Sequence, residues 1–308
     1  MDGTSFTEIP LVDVGRWRGG TRPERQAFAD EVRDICHRVG FFIAVNHGVD
    51  TELTESVFAT LRRLFALPES TKRQIDKTDS RHFRGWEPVG TESTNNRTDH
   101  REQIDLWTDG KSHPPDAEPP YLRLMGPNQW LDDAVLPGHR DVIERWIEQV
   151  HRFGDRLLAI LSLGLGLAED HLAALFGPEP MSLTKLIHYP PTPPGEAGVN
   201  GHHDTGFVTI LAAGDTPGLE VQNPDGEWIP VPIVPDSFVI NLGEMLQAIT
   251  GNYFVATPHR VISATERYAA GHFLGPSFTT ALTPLPLAPP FAEAVAASPR
   301  HAGAGYMA

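Results

Sequence analysis

The half of the chain that follows Pro180 consists of short β-forming runs that alternate with turn signals. The clearest turn is Asn223-Pro224-Asp225-Gly226, which has the composition of a tight hairpin connection. Several short strands with regular turns are typical of a β-sandwich or β-barrel. The predicted strands span residues 183–189, 207–212, 219–222, 228–231, 237–241 and 272–278.

The half before Pro180 shows mainly helical spacing of its apolar residues. Helices are predicted at 24–39, 51–66 and within the helix-rich stretch 136–175, and short strands at 9–13 and 41–45. Residues 80–130 are polar and irregular, which inside a compact domain is typical of a functional lid or a disordered segment. The predicted fold class is therefore mixed α/β, with a helix-rich N-terminal region packed around a C-terminal β-barrel.

The composition limits which cellular compartment and which classes of binding partner are expected. Cys36 is the single cysteine among 308 residues, which excludes an internal disulfide and fits a reducing cytosol. The net charge of −15 disfavours nucleic acid and anionic membranes as partners. The chain has no apolar run of about 18 residues and no signal-peptide pattern at its start. We therefore expect a cytoplasmic protein without a membrane or nucleic-acid partner.

A possible metal site is indicated by His202, Asp204 and His259. On an extended segment, residues i and i+2 point to the same face, so His202 and Asp204 converge while His203 points away. Two histidines and one carboxylate form the set that holds Fe(II) on one face and leaves the other face open. The set alone is not specific, because the chain has 14 histidines and because a zinc hydrolase can use the same donors.

An ordered series of motifs extends along nearly the whole chain. They are IPLVD at 9–13, GFFIAVNHGV at 40–49, RGW at 84–86, GPNQW at 126–130, HYPP at 188–191, GHHDTG at 201–206, FVINLGE at 238–244 and HRV at 259–261. In this order they resemble the isopenicillin N synthase family of non-haem iron, 2-oxoglutarate-type oxygenases. The chain is also similar to bacterial relatives of the ethylene-forming enzyme, in which an arginine is followed by a residue other than serine.

This resemblance implies a double-stranded β-helix, or jelly-roll, core with Fe(II) at its mouth. It implies His202, Asp204 and His259 as iron ligands, and O2 and 2-oxoglutarate as co-substrates. Arg267 stands where the family's Arg-x-Ser motif binds the distal carboxylate of 2-oxoglutarate, and Tyr189 is a second candidate contact. Ala269 departs from the motif because it lacks the serine hydroxyl.

Other residues are candidate substrate contacts: Trp86, Glu92, Arg97, His188, Phe207 and Phe273. Trp86 is expected either to stack on the substrate or to anchor the lid. Glu92 and Arg97 are expected to pair with charged substrate groups or to be solvated loop charges. The aromatic residues Phe207 and Phe273 are expected to form the substrate wall or the barrel core.

The predicted organisation has four parts: an N-terminal region with a lid at 1–120, helical support at 121–180, the jelly-roll core at 181–282 and a tail at 283–308. The predicted activity is oxidation of a small-molecule metabolite by hydroxylation, desaturation or cyclisation, with succinate and CO2 as co-products. The alternatives are an isopenicillin N synthase-like oxidase, an ethylene-forming enzyme and a non-catalytic binding protein on the same fold. The expected state is a monomer or a weak homo-oligomer.

Overall fold

The computed structural model describes residues 5–177 and 179–297, so residues 298–308 of the tail predicted at 283–308 lie outside the described residues. Within these residues the helices are α1 (Arg22–Arg38), α2 (Thr51–Phe65), α3 (Glu69–Lys72), α4 (His139–Gly164), α5 (His171–Ala174), α6 (Glu244–Ile249) and α7 (Pro289–Ala296). None of them combines the length and the apolarity needed to cross a membrane. The predicted helices 24–39 and 51–66 are confirmed as α1 and α2, whereas α6 and α7 were not predicted.

The strands form two facing sheets and one small hairpin. They are β1 (Leu11–Asp13), β2 (Phe41–Val45), β3 (Gly85–Glu87), β4 (Ser93–Thr94), β5 (Arg97–Thr98), β6 (Glu102–Trp107), β7 (Leu183–Tyr189), β8 (Val199–His202), β9 (Val208–Ala212), β10 (Leu219–Gln222), β11 (Trp228–Pro230), β12 (Phe238–Leu242), β13 (His259–Val261) and β14 (Arg267–Leu274). The large sheet has the order β1-β2-β12-β9-β14-β7-β6-β3, the small sheet has the order β11-β10-β13-β8, and β4 pairs with β5.

Helix α1 shows how the local sequence sets an element boundary. The backbone N–H of Thr21 donates to the Glu24 carboxylate at 2.8 Å, which completes a capping box at the N-terminus. At the other end Gly40 has a φ of +71°, and a Cβ there would lie 2.2 Å from the carbonyl oxygen of Val255. Only glycine fits this turn, so the chain leaves α1 and enters the buried strand β2 directly.

The segment 80–130 was predicted to be irregular, and this prediction was wrong for residues 85–107. Strands β3 and β6 extend the large sheet beside β7. Polar residues such as Gln103 and Asp105 are buried in β6, where other side chains pair with them. The polar composition concealed the strand, because the hydrogen-bond and ionic partners come from distant parts of the chain.

The register of β14 decides which side chains face the interior between the two sheets. Arg267 is directly opposite Tyr189 of β7, and Phe273 is directly opposite Thr209 of β9. Because alternate residues of a strand share a face, Arg267, Tyr189, Phe273 and Thr209 lie on one face, called the inner face below. The strand begins at Arg267, whereas the sequence predicted it at residues 272–278; β8 and β13 were also not predicted.

The outer face of the large sheet packs against α4. Trp146 and Phe153 of this helix lie with ring centres 6.3 and 6.1 Å from that of Phe238 in β12. Each of these three side chains is almost fully buried. The apolar contacts on this side fix the sheet in place, and the inner face carries the polar residues described below.

Replacing Leu157 of α4 with alanine is expected to lower the free energy of unfolding by about 2–5 kcal/mol, because the side chain is 1% exposed and its loss leaves a cavity. The matched change Leu11→Ala removes a side chain that is 57% exposed, and about 0.5 kcal/mol or less is expected. Urea unfolding measures both values. Equal losses in the two variants would contradict the packing of α4 on the sheet.

Candidate metal centre and co-substrate pocket

His202, Asp204 and His259 come together at one edge of the small sheet. His202 ends β8 and is directly paired with His259 at the start of β13. Asp204 Oδ1 lies 3.5 Å from Nε2 of each histidine. One donor atom from each of the three residues lies within 4.8 Å of the other two, which is the spacing needed to hold one metal ion.

Backbone hydrogen bonds orient both imidazoles. His202 Nδ1 donates to the carbonyl oxygen of Asn200 at 2.9 Å, and His259 Nδ1 donates to that of Thr257 at 3.2 Å. A proton on Nδ1 leaves Nε2 with a free lone pair, which faces Asp204. The two rings are thus in the tautomer that suits metal binding.

The Asp204 carboxylate is held from its far side. Its Oδ2 accepts hydrogen bonds from Thr209 Oγ1 and, at 2.7 Å, from Asn241 Nδ2. Burial alone would raise the pKa of Asp204, but His259 and His202 outweigh it and hold that pKa well below its usual value. The group is therefore an ionised carboxylate whose Oδ1 is directed at the two imidazoles.

Arg267 offers an unpaired cation on the inner face. Its side chain is 1% exposed, and neither Nη1 nor Nη2 has a hydrogen-bond partner among residues 5–177 and 179–297. Burial lowers its pKa, while Tyr189, whose ring centre is 5.0 Å from the guanidinium carbon, opposes that change. A buried guanidinium with two free donors is costly unless an anion binds it, and a carboxylate matches its geometry.

Small residues separate Arg267 from Phe273 along β14. Ala269 and Gly271 lie between them on the inner face, and both are buried. A Cβ added to Gly271 would lie 3.1 Å from the Phe273 ring. The Phe273 ring packs over Gly271, and Ala269 brings no hydroxyl to this face.

Sequence comparison agrees with this geometry. The family described as the 2OG-Fe(II) oxygenase superfamily matches residues 180–276. The N-terminal family described as "non-haem dioxygenase in morphine synthesis" matches residues 9–133. A 2-oxoglutarate-dependent dioxygenase of Gibberella zeae is 35% identical over 87% of this chain and 71% of its own length. The chain belongs to the 2OG-Fe(II) oxygenase superfamily.

Two further relatives are informative. The 2-oxoglutarate-dependent dioxygenase tropC of Talaromyces stipitatus is 32% identical over 90% of this chain and 89% of its own length. The crystal structure of Neurospora crassa T7H with alpha-KG has a TM-score of 0.78 at 21% identity, covering 90% of this chain and 88% of that one. The predicted jelly-roll fold class is confirmed. These relatives are fungal, and they do not support the bacterial placement expected from the sequence.

Membership of this superfamily identifies an Fe(II)- and 2-oxoglutarate-dependent oxidoreductase that uses O2. The predicted enzyme class and cofactors are thereby confirmed. The donor set fits the metal, because it combines two imidazole nitrogens with one ionised carboxylate. The unpaired guanidinium of Arg267 fits a dicarboxylate co-substrate.

Two predicted substrate contacts lie on the wrong face of the sheet. His188 is next to the inward-facing Tyr189 and therefore points outward, where its ring stacks on Tyr268 with centres 4.7 Å apart. Trp86 also points outward, is 1% exposed and donates its indole N–H to Glu102 at 2.8 Å. Strand alternation turns both side chains away from the interior, which for Trp86 favours the expected anchoring role over stacking on the substrate.

The remaining candidate substrate contacts differ in the solvent exposure of their side chains. The Phe207 ring is fully buried against Phe176, with ring centres 5.4 Å apart, so it belongs to the core and not to a substrate wall. Phe273 is partly exposed and lines a cavity of about 300 Å³ beside Thr205. Glu92 and Arg97 lie at the β4–β5 hairpin, Glu92 half-buried and Arg97 exposed.

Sequence reasoning missed an ionic group on the inner face. Lys185 is directly opposite Asp105 of β6, and its ammonium lies 3.1 Å from that carboxylate and 3.5 Å from Glu92. The burial of Glu92 is outweighed by Lys185, Arg101 and Lys77, which lower the pKa of its carboxyl to about 2. Strand alternation from Tyr189 back to Lys185 is the signal that would have placed Lys185 in the interior.

The change His188→Gln is expected to leave the KM for 2-oxoglutarate within about two-fold of its original value, because this side chain lies on the outer face. The inner-face change Tyr189→Phe is the matched comparison, and a higher KM is expected there. Oxygen consumption at varied 2-oxoglutarate measures both. A larger effect at His188 than at Tyr189 would contradict the register of β7.

Proposed function

We propose that His202, Asp204 and His259 are the ligands of the catalytic Fe(II). The observation that carries the proposal is the convergence of both Nε2 atoms on Asp204 Oδ1 at 3.5 Å. The bonds from Nδ1 to backbone carbonyls and from Thr209 and Asn241 to Oδ2 orient the three donors before any metal arrives. When bound, the iron with 2-oxoglutarate and O2 supplies the oxidising chemistry, with succinate and CO2 as co-products.

In this proposal Arg267 binds the distal carboxylate of 2-oxoglutarate through its free Nη1 and Nη2 atoms. Tyr189, directly across the strand pair, is placed to support the same group. The buried position strengthens this pairing, because little water competes for the charges. Because Ala269 has no hydroxyl, this contact has one hydrogen-bonding group fewer than the Arg-x-Ser arrangement.

We further propose that the substrate lies in the cavity of about 300 Å³ that reaches Thr205, the neighbour of Asp204. Trp107, Leu183, Met245 and Phe273 give this cavity apolar walls. Thr205, Ser277 and Thr280 add hydroxyl groups to this lining. It therefore suits a small metabolite with an apolar body and a hydrogen-bonding group, and substrate contacts by Glu92 and Arg97 stay predictions.

Hydroxylation is the default outcome in this proposal, and desaturation or cyclisation follows if the substrate is held differently. An isopenicillin N synthase-like oxidase or an ethylene-forming enzyme is the second candidate, which the missing serine hydroxyl at Ala269 keeps open. Succinate and ethylene formed per O2 consumed separate these activities. The cytoplasmic location and the monomeric or weakly associated state stay predictions.

Anaerobic addition of Fe(II) and 2-oxoglutarate is expected to give a weak visible charge-transfer absorption. His202→Ala is expected to abolish this absorption, since one ligand is lost. An unchanged absorption in His202→Ala would contradict the ligand assignment.

Arg267→Lys is expected to raise the KM for 2-oxoglutarate roughly ten- to a hundred-fold, because the two-point contact becomes a single one. Arg140→Lys, at an exposed position, is the control.

A further test adds the hydroxyl that Ala269 lacks. Ala269→Ser is expected to lower the KM for 2-oxoglutarate by about five-fold, because one added hydrogen bond is worth about 1 kcal/mol. Steady-state succinate formation measures the change. A KM that rises, or that falls equally for a non-carboxylate analogue of the co-substrate, would contradict the placement of Ala269 beside the Arg267 carboxylate site.

A further inference from the structure

A small hairpin is docked beside the strand that ends in His202. Strands β4 and β5 are joined by Asn95 and Asn96, both in the left-handed region with φ of 51° and 60°. The backbone N–H of Asp99, just after the hairpin, donates to the carbonyl oxygen of Glu92, just before it, at 3.0 Å. The hairpin is therefore a closed unit with Asp99 at its base.

The Asp99 carboxylate connects three parts of the chain and is completely buried. Its Oδ2 accepts from Thr94 Oγ1 of the hairpin at 2.7 Å and from Arg101 Nη2 at 3.2 Å. Its Oδ1 accepts from the backbone N–H of Asn200 at 3.1 Å and from Asn200 Nδ2 at 2.9 Å. Four donors on one buried carboxylate make it a rigid junction between the hairpin and β8.

This junction ends at the proposed metal ligand. The carbonyl oxygen of Asn200 accepts the Nδ1–H of His202 at 2.9 Å, and that bond sets the direction of Nε2. Asn200 Nδ2 also donates to the carbonyl oxygen of Thr98 at 3.1 Å, and Asn95 Nδ2 donates to that of Gly201 at 2.5 Å. The hairpin thus holds the two residues that precede His202.

We propose that Asp99 is a positioning residue for the metal centre: through Asn200 it fixes the orientation of His202 and couples docking of the hairpin to metal affinity. The inference rests on the proposed role of His202 as a ligand. Without the carboxylate, the backbone N–H and the side-chain amide of Asn200 both lose an acceptor, so Asn200, whose carbonyl oxygen accepts from His202 Nδ1, is held less firmly. Arg101 keeps Glu92 as a partner at 2.6 Å, so its charge stays compensated.

The variants distinguish positioning from general stability. Asp99→Ala removes all four hydrogen bonds, whereas Asp99→Asn keeps the size but has one acceptor oxygen in place of two, so it cannot accept from Asn200 and also from Thr94 and Arg101. Glu102→Gln is the matched control, because Glu102 is also a buried carboxylate with several donors, Lys72, Trp86 and His188, but on the outer face of the sheet. Its loss is expected to lower stability without moving His202.

The test is anaerobic titration of the full chain with Fe(II), and with Co(II) followed by its visible spectrum, beside urea unfolding of the metal-free protein. Asp99→Ala is expected to weaken Fe(II) binding roughly ten- to a hundred-fold, and Asp99→Asn to weaken it less, with an altered Co(II) spectrum in both. Glu102→Gln is expected to bind as the unmodified chain does. If Asp99→Ala does not fold, Asp99→Asn decides the test.

Unchanged Fe(II) affinity and an unchanged Co(II) spectrum in Asp99→Asn would overturn the inference. So would an equal loss of affinity in Glu102→Gln, which would assign the effect to stability. Failure of the proposed function is a separate result: the unmodified chain would bind no Fe(II), or His202→Ala would bind it equally well.

Discussion

The antiparallel pairing of β14 with β7 and β9 is the constraint on which the site depends. It puts Arg267 opposite Tyr189 and Phe273 opposite Thr209, and the Thr209 hydroxyl holds Asp204. A slip of β14 by one residue would turn Arg267 and Phe273 away from the interior. Contacts on the outer face oppose this slip, because Leu274 of β14 packs against Gly154 of α4 and would then point inward.

Among the described residues, the charged side chains discussed above for the inner face lie against opposite charges or imidazoles, except for Arg267. Lys185 and Lys77 both lie against Asp105 and Glu92, and Asp204 lies against two imidazoles. Arg267 has no comparable partner for Nη1 and Nη2 among the described residues. In a chain with a net charge of −15, an unpaired buried cation marks the place where an anion is expected to bind.

Sequence reasoning was strongest where chemistry depends on residue type and weakest where it depends on neighbours. The set of His202, Asp204 and His259 was recognisable from donor chemistry and motif order. Strand β6 and the role of Asp99 were not, because polar residues enter a strand only when distant partners satisfy them. The sequence did not reveal that His188 and Trp86 point outward, because the face on which a strand residue lies follows from strand pairing, and a single segment does not show that pairing.

The sequence by itself determined the superfamily, the residues proposed as the donor set and as the co-substrate arginine, and the absence of a hydroxyl at Ala269. Only the tertiary structure decided that Lys185 pairs with Glu92, that His188 points outward, and that Asp99 reaches His202 through Asn200. The physical reason is that residue type sets what a side chain can bind, whereas strand register and burial set what it meets.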